Sequence, residues 1–305
     1  MDVGIVEIGD KAVALTTDPV FIVPEYGFKR AAWFAIHILA SDSVTSGLKP
    51  RYISIDLNLP MEMTRKQLEI MWRTMHKECK KLGIAVITGH TARYENCGYP
   101  MVGGATMVGI GELDEYVTPA FARAGDKIII TKGPAIESTG ILALQAEKAL
   151  ADKFGKDLVE KAKSHFTAMT VVQDALVAAP YAHAMHDATE GGLLNGIYEV
   201  VEASNTGVTI YEDRIIIPEE IASVHQYFNI DPLISISEGT LVITATPENT
   251  PKIIGELSQN GISAWEIGEV TAKDRVFVRK DGKKEELIPV KVDPFWAAYF
   301  STLEG

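Results

Sequence analysis

His186-Asp187-Ala188-Thr189-Glu190-Gly191-Gly192-Leu193-Leu194 is the stretch on which the reading of this chain turns. It reads as the sharp start of a helix. Thr189 stands where an N-cap belongs, Gly191 and Gly192 fall in the first turn, and an apolar face follows at Leu193, Leu194, Ile197, Val200 and Val201. Glycine weakens a first turn, so a pair of glycines calls for a reason, and one reason is that something approaches the backbone closely. The bare N–H groups of a helix start draw anions, phosphate above all. Asp187 would repel a naked phosphate but is suited to holding a metal ion or a water. The alternative, equally open from this stretch alone, is a capped helix packed tightly on a neighbour.

At 305 residues the chain suits two domains or one large one. A hydrophobic content of 47% with 23% charged residues is that of a globular protein with ample core. The formal charge of -12 argues against a nucleic-acid partner and against an anionic membrane surface. It leaves room for a nucleotide, because divalent cations can bridge phosphate to an acidic protein. No apolar run reaches membrane-spanning length and the start carries no signal-peptide pattern. Cys79 and Cys97 lack metal-ligand spacing, and such usage fits a reducing, cytoplasmic setting, with a disulfide left open.

Along the chain, Asp2–Val6 reads as a strand or its approach, and Lys11–Thr17 as a strand halted by Pro19, which cannot donate to a ladder. Asp18 then sits at a strand end, where α/β proteins place site residues; a plain turn aspartate is the other reading. Phe28–Gly47 reads as a helix, with Asp42 on the same stripe as Phe34, Ile38 and Thr45. A carboxylate on an apolar stripe is costly unless paired, hydrogen-bonded or metal-bound, or unless it reaches water at the edge. Arg51–Leu57 is a strand, Thr64 and Gln67 form a capping box, and Leu68, Met71, Trp72, Met75, Cys79 and Leu82 line one helix face as core. Ile84–Thr88 is expected as a short buried strand ending in the polar cluster Gly89-His90-Thr91, and Met101–Gly111 as a glycine-rich strand. His90 alone is more often structural than a ligand.

Leu113–Gly125 reads as a linker, dividing the chain into domains over 1–112 and 124–290 with a helix and tail at 291–305. The second half alternates strands (Asp126–Thr131, Thr240–Thr246, Ala264–Gly268, Arg275–Arg279) with helices (Glu137–Ala149, Gly155–Ser164, Val171–Tyr181, Pro218–Phe228, Thr250–Gln259, Pro294–Thr302).

Thr16-Thr17-Asp18-Pro19, Ser41-Asp42 with Gly47-Leu48-Lys49-Pro50, Thr88-Gly89-His90-Thr91, and His186–Gly192 stand in fixed order, followed by Asp231-Pro232-Leu233 and Ser237–Val242. This ordered set resembles the aminoimidazole ribonucleotide (AIR) synthase superfamily, and within it the hydrogenase-maturation HypE group and AIR synthase-related proteins. The resemblance runs from Asp2 to about Val270. It implies two α/β domains and a homodimer in which the N-terminal sheets of two subunits pair into a β-barrel. ATP and Mg²⁺ are expected near that interface, and the chemistry is attack by an amide-type or related oxygen on ATP. By the same resemblance Asp18 and Asp42 are Mg²⁺–ATP ligands, Asp187 is a metal ligand, and Asp2 matches the acid at the end of the nucleotide loop. Asp187 and Asp42 are the expected catalytic acids. Gly89, Thr91, Thr189, Gly191 and Gly192 complete the nucleotide contacts. Divalent cations must stand between a triphosphate and such carboxylates.

The pattern also departs from the family. Ser41, His90 and Glu190 replace its asparagine, acidic residue and arginine. The family carries some tens of residues ahead of the Asp2 position, where this chain begins, and HypE ends in a cysteine where this chain has Ser301-Thr302-Leu303-Glu304-Gly305. The expected acceptor, small or protein-bound, therefore differs from that of the named relatives. Two other readings stay open: a nucleotide-binding homodimeric scaffold without turnover, and a small-molecule kinase like thiamine-monophosphate kinase.

Overall fold

The computed structural model describes residues 3–303. Asp2, expected as a metal ligand, lies outside the described residues. The chain divides into two compact units, Asp2–Tyr116 and Val117–Gly305, the cut falling inside the segment read as a linker. Both units are mixed α/β. Among the described residues no helix is long and apolar enough to cross a membrane.

In the N-terminal unit, β1 (Gly4–Ile8) and β2 (Lys11–Phe21) form a hairpin over Gly9-Asp10. Then come α1 (Phe28–Val44), β3 (Pro50–Leu59), α2 (Arg65–Leu82), β4 (Ala85–Arg93) and β5 (Met101–Glu112). The five strands lie in the order β1-β2-β5-β3-β4, antiparallel except for the β3–β4 pair. The β3-α2-β4 crossover is what makes that pair parallel. α1 packs on α2 and on β2, and it is buried almost all round, from Ala31 to Val44. α2 starts on the expected box: Gln67 N–H donates to Thr64 Oγ1 (3.3 Å), and Gln67 Oε1 accepts the Thr64 N–H (2.7 Å). Met71, Met75 and Cys79 are buried on its inner face, whereas Trp72, a hundred degrees around the helix from Met71, is 40% exposed.

Two expectations fail here for the same reason, the position of a strand relative to the sheet edge. β2 does not stop at Pro19 but continues to Phe21. β1 pairs only as far as Leu15, so the missing N–H of Pro19 falls where β2 has one open side, and a ladder irregularity between Pro19 and Phe21 absorbs the rest. β4 is neither short nor buried. It runs to Arg93 as the last strand of the order, with Val86 and Ile87 exposed, and it carries Gly89, His90 and Thr91 within it, not beyond it.

The C-terminal unit is built on a seven-stranded sheet in the order β12-β11-β8-β10-β6-β9-β7. Its strands are β6 (Lys127–Thr131), β7 (Ala184–Asp187), β8 (Gly207–Tyr211), β9 (Leu241–Ala245), β10 (Ala264–Thr271), β11 (Arg275–Val278) and β12 (Lys284–Glu286). Only the β8–β11 pair is parallel. The helices are α3 (Ile136–Gln145), α4 (Glu147–Phe154), α5 (Lys156–Ser164), α6 (Val172–Ala178), α7 (Gly192–Ala203), α8 (Glu219–Phe228), α9 (Thr250–Gln259) and α10 (Pro294–Leu303). Leu193, Ile197, Val200 and Val201 of α7 share one apolar core with Ile128, Ile130, Val208, Val242 and Ile267 of the sheet. The sequence reads α3 and α4 as one helix; the backbone of Ala146 (φ −105°, ψ 27°) breaks them apart. It does not identify β7 or β8.

Candidate functional site

In the N-terminal unit, the alternation along β2 puts Ala12, Ala14, Thr16, Asp18 and Val20 on one face of the sheet. α1 packs against this strand. Asp42, in its last turn, is 6% exposed and accepts a hydrogen bond from the Thr16 hydroxyl at 3.3 Å. It is therefore not an edge aspartate reaching for water. Asp18 is partly buried and stands two residues further along the face of Thr16, about 7 Å on. The structure thus brings Asp18 and Asp42 to the same side of the sheet, with Thr16 between them. Thr45 closes the helix end beneath them, its N–H and hydroxyl both on the Asp42 carbonyl.

Gly89 and Thr91 are not brought to that pair within the unit. They lie on β4, three strand spacings from β2, about 14 Å across the sheet. They pair with Ile55 and Leu57 of β3 and are exposed. Gly89 has its own packing reason, since a Cβ there would run into the Ile55 carbonyl oxygen. The His90 Nε2 is bonded to the Tyr94 hydroxyl at 2.9 Å, a local contact on the same strand end.

In the C-terminal unit, β7 ends on Asp187, which is fully buried and paired with Leu241 at the start of β9. The turn that follows differs from the expected helix start. Gly191 (φ 76°) and Gly192 (φ 63°) are both left-handed, Gly191 is the N-cap, and Thr189 stays outside the helix. The carbonyl of Thr189 accepts the N–H groups of Gly192 and Ser237 at 3.0 and 3.3 Å. The group that approaches the glycine backbone belongs to the chain itself. A Cβ on Gly192 would lie 2.5 Å from the Ser235 carbonyl oxygen. The anion drawn to this turn is also internal: the Asp293 carboxylate accepts the Gly191 N–H at 2.8 Å. A ligand reaching the Gly191 N–H would compete with the Asp293 carboxylate for it.

The loop Ser235–Thr240 is fastened to the start of α3 by several bonds. Ser138 N–H donates to the Ile236 carbonyl (3.1 Å), Ile136 N–H to Ser237 Oγ (3.2 Å) and Glu238 N–H to Glu137 Oε2 (3.2 Å). The Ser237 hydroxyl is bonded to that of Thr240 at 2.7 Å, and Thr240 in turn bonds the Gly133 carbonyl. Glu238 ends up 1% exposed, with a carboxylate oxygen within 4.8 Å of one from Asp187.

The electrostatics of this region are one-sided. Burial pushes the Glu137 carboxyl up to about 8, against the Glu238 N–H that favours its charged form, and the charges of Asp293, Glu190 and Asp187 push it further. Burial also holds Asp293 above the ordinary carboxylate range, although the N–H groups of Gly191, Phe295 and Ile236 favour its anion. His186 Nε2 lies 2.6 Å from Glu199, and its Nδ1 lies 3.8 Å from Asp187. Asp187 and Glu238 bring two buried carboxylates within 4.8 Å of each other. Hard oxygen donors so placed suit Mg²⁺, directly or through a water. The residues present therefore fit the cation that the family resemblance implies.

Glu137, Glu238 and Asp293 were not among the expected site residues. The Ser237-Glu238-Gly239 triplet was visible as part of the ordered set, but nothing in its spacing pointed to Asp187. Asp293-Pro294 is a helix-start signal, yet its contact with Gly191 spans 102 positions.

Residues 1–111 match the family described as AIR synthase related protein, N-terminal domain, and residues 123–281 its C-terminal domain. The carbamoyl dehydratase HypE of Rhizobium leguminosarum bv. viciae is 27% identical over 274 residues, covering 88% of this chain and 76% of its own length. The crystal structure of E. coli HypE, a hydrogenase maturation protein, superposes with a TM-score of 0.77 at 22% identity, covering 92% of this chain and 87% of that one. AaThiL complexed with AMPPCP and TMP gives 0.76 at 21% identity, covering 96% and 89%.

The Glu137 carboxyl makes stability fall as pH rises. Below about 4.5 folded and unfolded chains both hold its proton; between there and about 8 the unfolded chain releases it while the folded chain keeps it. Urea unfolding measured from pH 5 to 9 is expected to show this loss, up to about 1.4 kcal/mol per pH unit, levelling above 8. Glu137→Gln is expected to abolish that component.

Proposed function

Since the chain belongs to the AIR synthase-related family, we propose that it is an ATP- and Mg²⁺-dependent phosphoryl-transfer protein of the HypE type, acting on an amide-type or related oxygen. The observation that carries this reading is the pair of buried carboxylates, Asp187 and Glu238, held by loops that exclude water. Carboxylate oxygens set this close in a buried site are hard donors of the kind that binds a divalent cation. Proteins of this fold are described with a nucleotide analogue, as AaThiL is with AMPPCP.

In this reading the N-terminal unit holds Mg²⁺–ATP through Asp18 and Asp42, and the Thr16 hydroxyl fixes the orientation of the Asp42 carboxylate. In the C-terminal unit Asp187 and Glu238 hold a divalent cation. The bound cation neutralises phosphate charge and stabilises the charge that develops during transfer. His186, braced by Glu199, limits the rotation of the neighbouring Asp187. The acceptor reacts away from bulk water, which strengthens each electrostatic contact. Cys79 and Cys97 are free thiols, in keeping with a reducing compartment such as the cytoplasm. Burial raises the Cys79 thiol to about 11, so it is not a nucleophile at neutral pH.

The N-terminal sheet supports a homodimer. β4 leaves Val86 and Ile87 41% and 59% exposed on a strand nine residues long, with Tyr52 and Met101 exposed on other strands of the same sheet. An apolar edge of this kind is an association surface unless it is covered. A second copy pairing through this sheet would cover it.

Calorimetric titration of ATP into the full chain tests the nucleotide site. Saturable binding near one ATP per subunit is expected with Mg²⁺ and not without it. Asp18→Ala and Asp42→Ala are each expected to weaken it by about tenfold or more; unchanged binding in both would remove the assignment. Sedimentation velocity tests the dimer. The wild-type chain is expected to run as a dimer and the Val86→Lys, Ile87→Lys double variant as a monomer.

A further inference from the structure

We propose that Glu137 is a positioning residue for Glu238: by accepting the Glu238 N–H it holds the 236–240 loop in the shape that presents the Glu238 carboxylate, with that of Asp187, to a divalent cation. The inference rests on the cation site proposed above and adds to it the residue that sets its geometry.

Three observations support it. The other bonds between α3 and this loop fall on the neighbours of Glu238: Ser138 holds Ile236, and Ile136 holds Ser237. The bond to Glu238's own N–H comes from Glu137, at 3.2 Å. A buried N–H that loses its acceptor is costly, and the loop it belongs to contains a left-handed glycine, Gly239 (φ 104°), at which it can shift.

The start of α3, which carries Glu137, is itself over-determined. Lys132 (φ 61°) and Ala135 (φ 59°) are non-glycine residues in the left-handed region on either side of Gly133. Such backbone is strained and persists only where surrounding contacts enforce it. Here Lys132 is tied to the Thr170 carbonyl and to Asp174 (2.8 and 2.7 Å), Ala135 accepts from the Thr139 hydroxyl (2.6 Å), and Thr240 bonds the Gly133 carbonyl. A rigid platform of this kind transmits position.

Finally, Glu137 is almost fully buried and faces acidic groups: Asp187, Glu190 and Asp293 all act on it. A carboxyl so placed adds nothing to folding by its charge. Its contribution is the acceptor oxygen that it offers to Glu238.

The test compares wild type, Glu137→Gln and Glu137→Met in the full-length chain. Gln keeps an acceptor, and Met fills a similar volume without one. Neither buries an acid, so both are expected to fold at neutral pH, which a thermal melt checks. Two properties are read: Mn²⁺ affinity, from the electron paramagnetic resonance signal of free Mn²⁺, and hydrogen exchange of the Glu238 amide without metal. Glu137→Met is expected to weaken Mn²⁺ by about 10–100-fold, as loss of outer-shell support does elsewhere, and to speed Glu238 exchange. Glu137→Gln is expected to stay near wild type in both. Wild-type Mn²⁺ affinity in Glu137→Met overturns the proposal. So does equal weakening in both variants with the amide still protected, which would make Glu137 a charged ligand. If wild type itself binds no Mn²⁺, the underlying cation site falls, and that result is seen before any variant is compared.

Discussion

Repulsion among carboxyl groups that have left water is the constraint on which the C-terminal unit depends. Asp187, Glu238, Glu137 and Asp293 are all buried there. Each meets the cost in its own way. Asp293 takes backbone N–H groups from the glycine turn, from its own helix start and from Ile236. Glu137 keeps its proton to about pH 8. Asp187 and Glu238 lie close together, as the pair at which the proposed cation would bind. The turn before α7 and the loop before β9 bring the N–H groups of Gly191 and Ile236 to Asp293 and that of Glu238 to Glu137.

The N-terminal unit treats its acids differently. Asp42 is buried on a helix and held by a hydroxyl from the strand beneath, and Asp18 stands partly exposed on that strand. One serine-rich helix end, Ser41 to Ser46, supplies small polar residues that let α1 sit close on the sheet. The arrangement sets one aspartate on the helix and one on the strand to the same side of the sheet, as is suited to ligands that reach a polyphosphate through metal ions.

Much of this was legible in the sequence. Alternating strand and helix patterns and the linker at 113–125 were read from the residues, and two α/β domains from the family resemblance. The α2 capping box and the C-terminal aromatic helix followed from local signals that depend only on neighbours in the chain. Asp42 could be singled out because a carboxylate on an apolar stripe is a local anomaly. What could not be read were facts of sheet position and long-range closure. Pro19 looked like a stop because its partner strand's length is not written near it. Val86 and Ile87 looked buried because apolar residues on an edge strand and in a core read alike. The glycine pair at 191–192 was correctly read as a place of close approach. That the approaching groups are Ser235 and Asp293 depends on packing between segments far apart in sequence. Glu137 looked like an ordinary helix-start acid for the same reason.

The most direct measurement of the central claim is the anomalous difference map of a crystal grown with Mn²⁺ and AMPPCP. The account predicts Mn²⁺ peaks about 2.2 Å from carboxylate oxygens of Asp187 and Glu238, and of Asp18 or Asp42. Nucleotide bound with no Mn²⁺ against any of these four residues would contradict it.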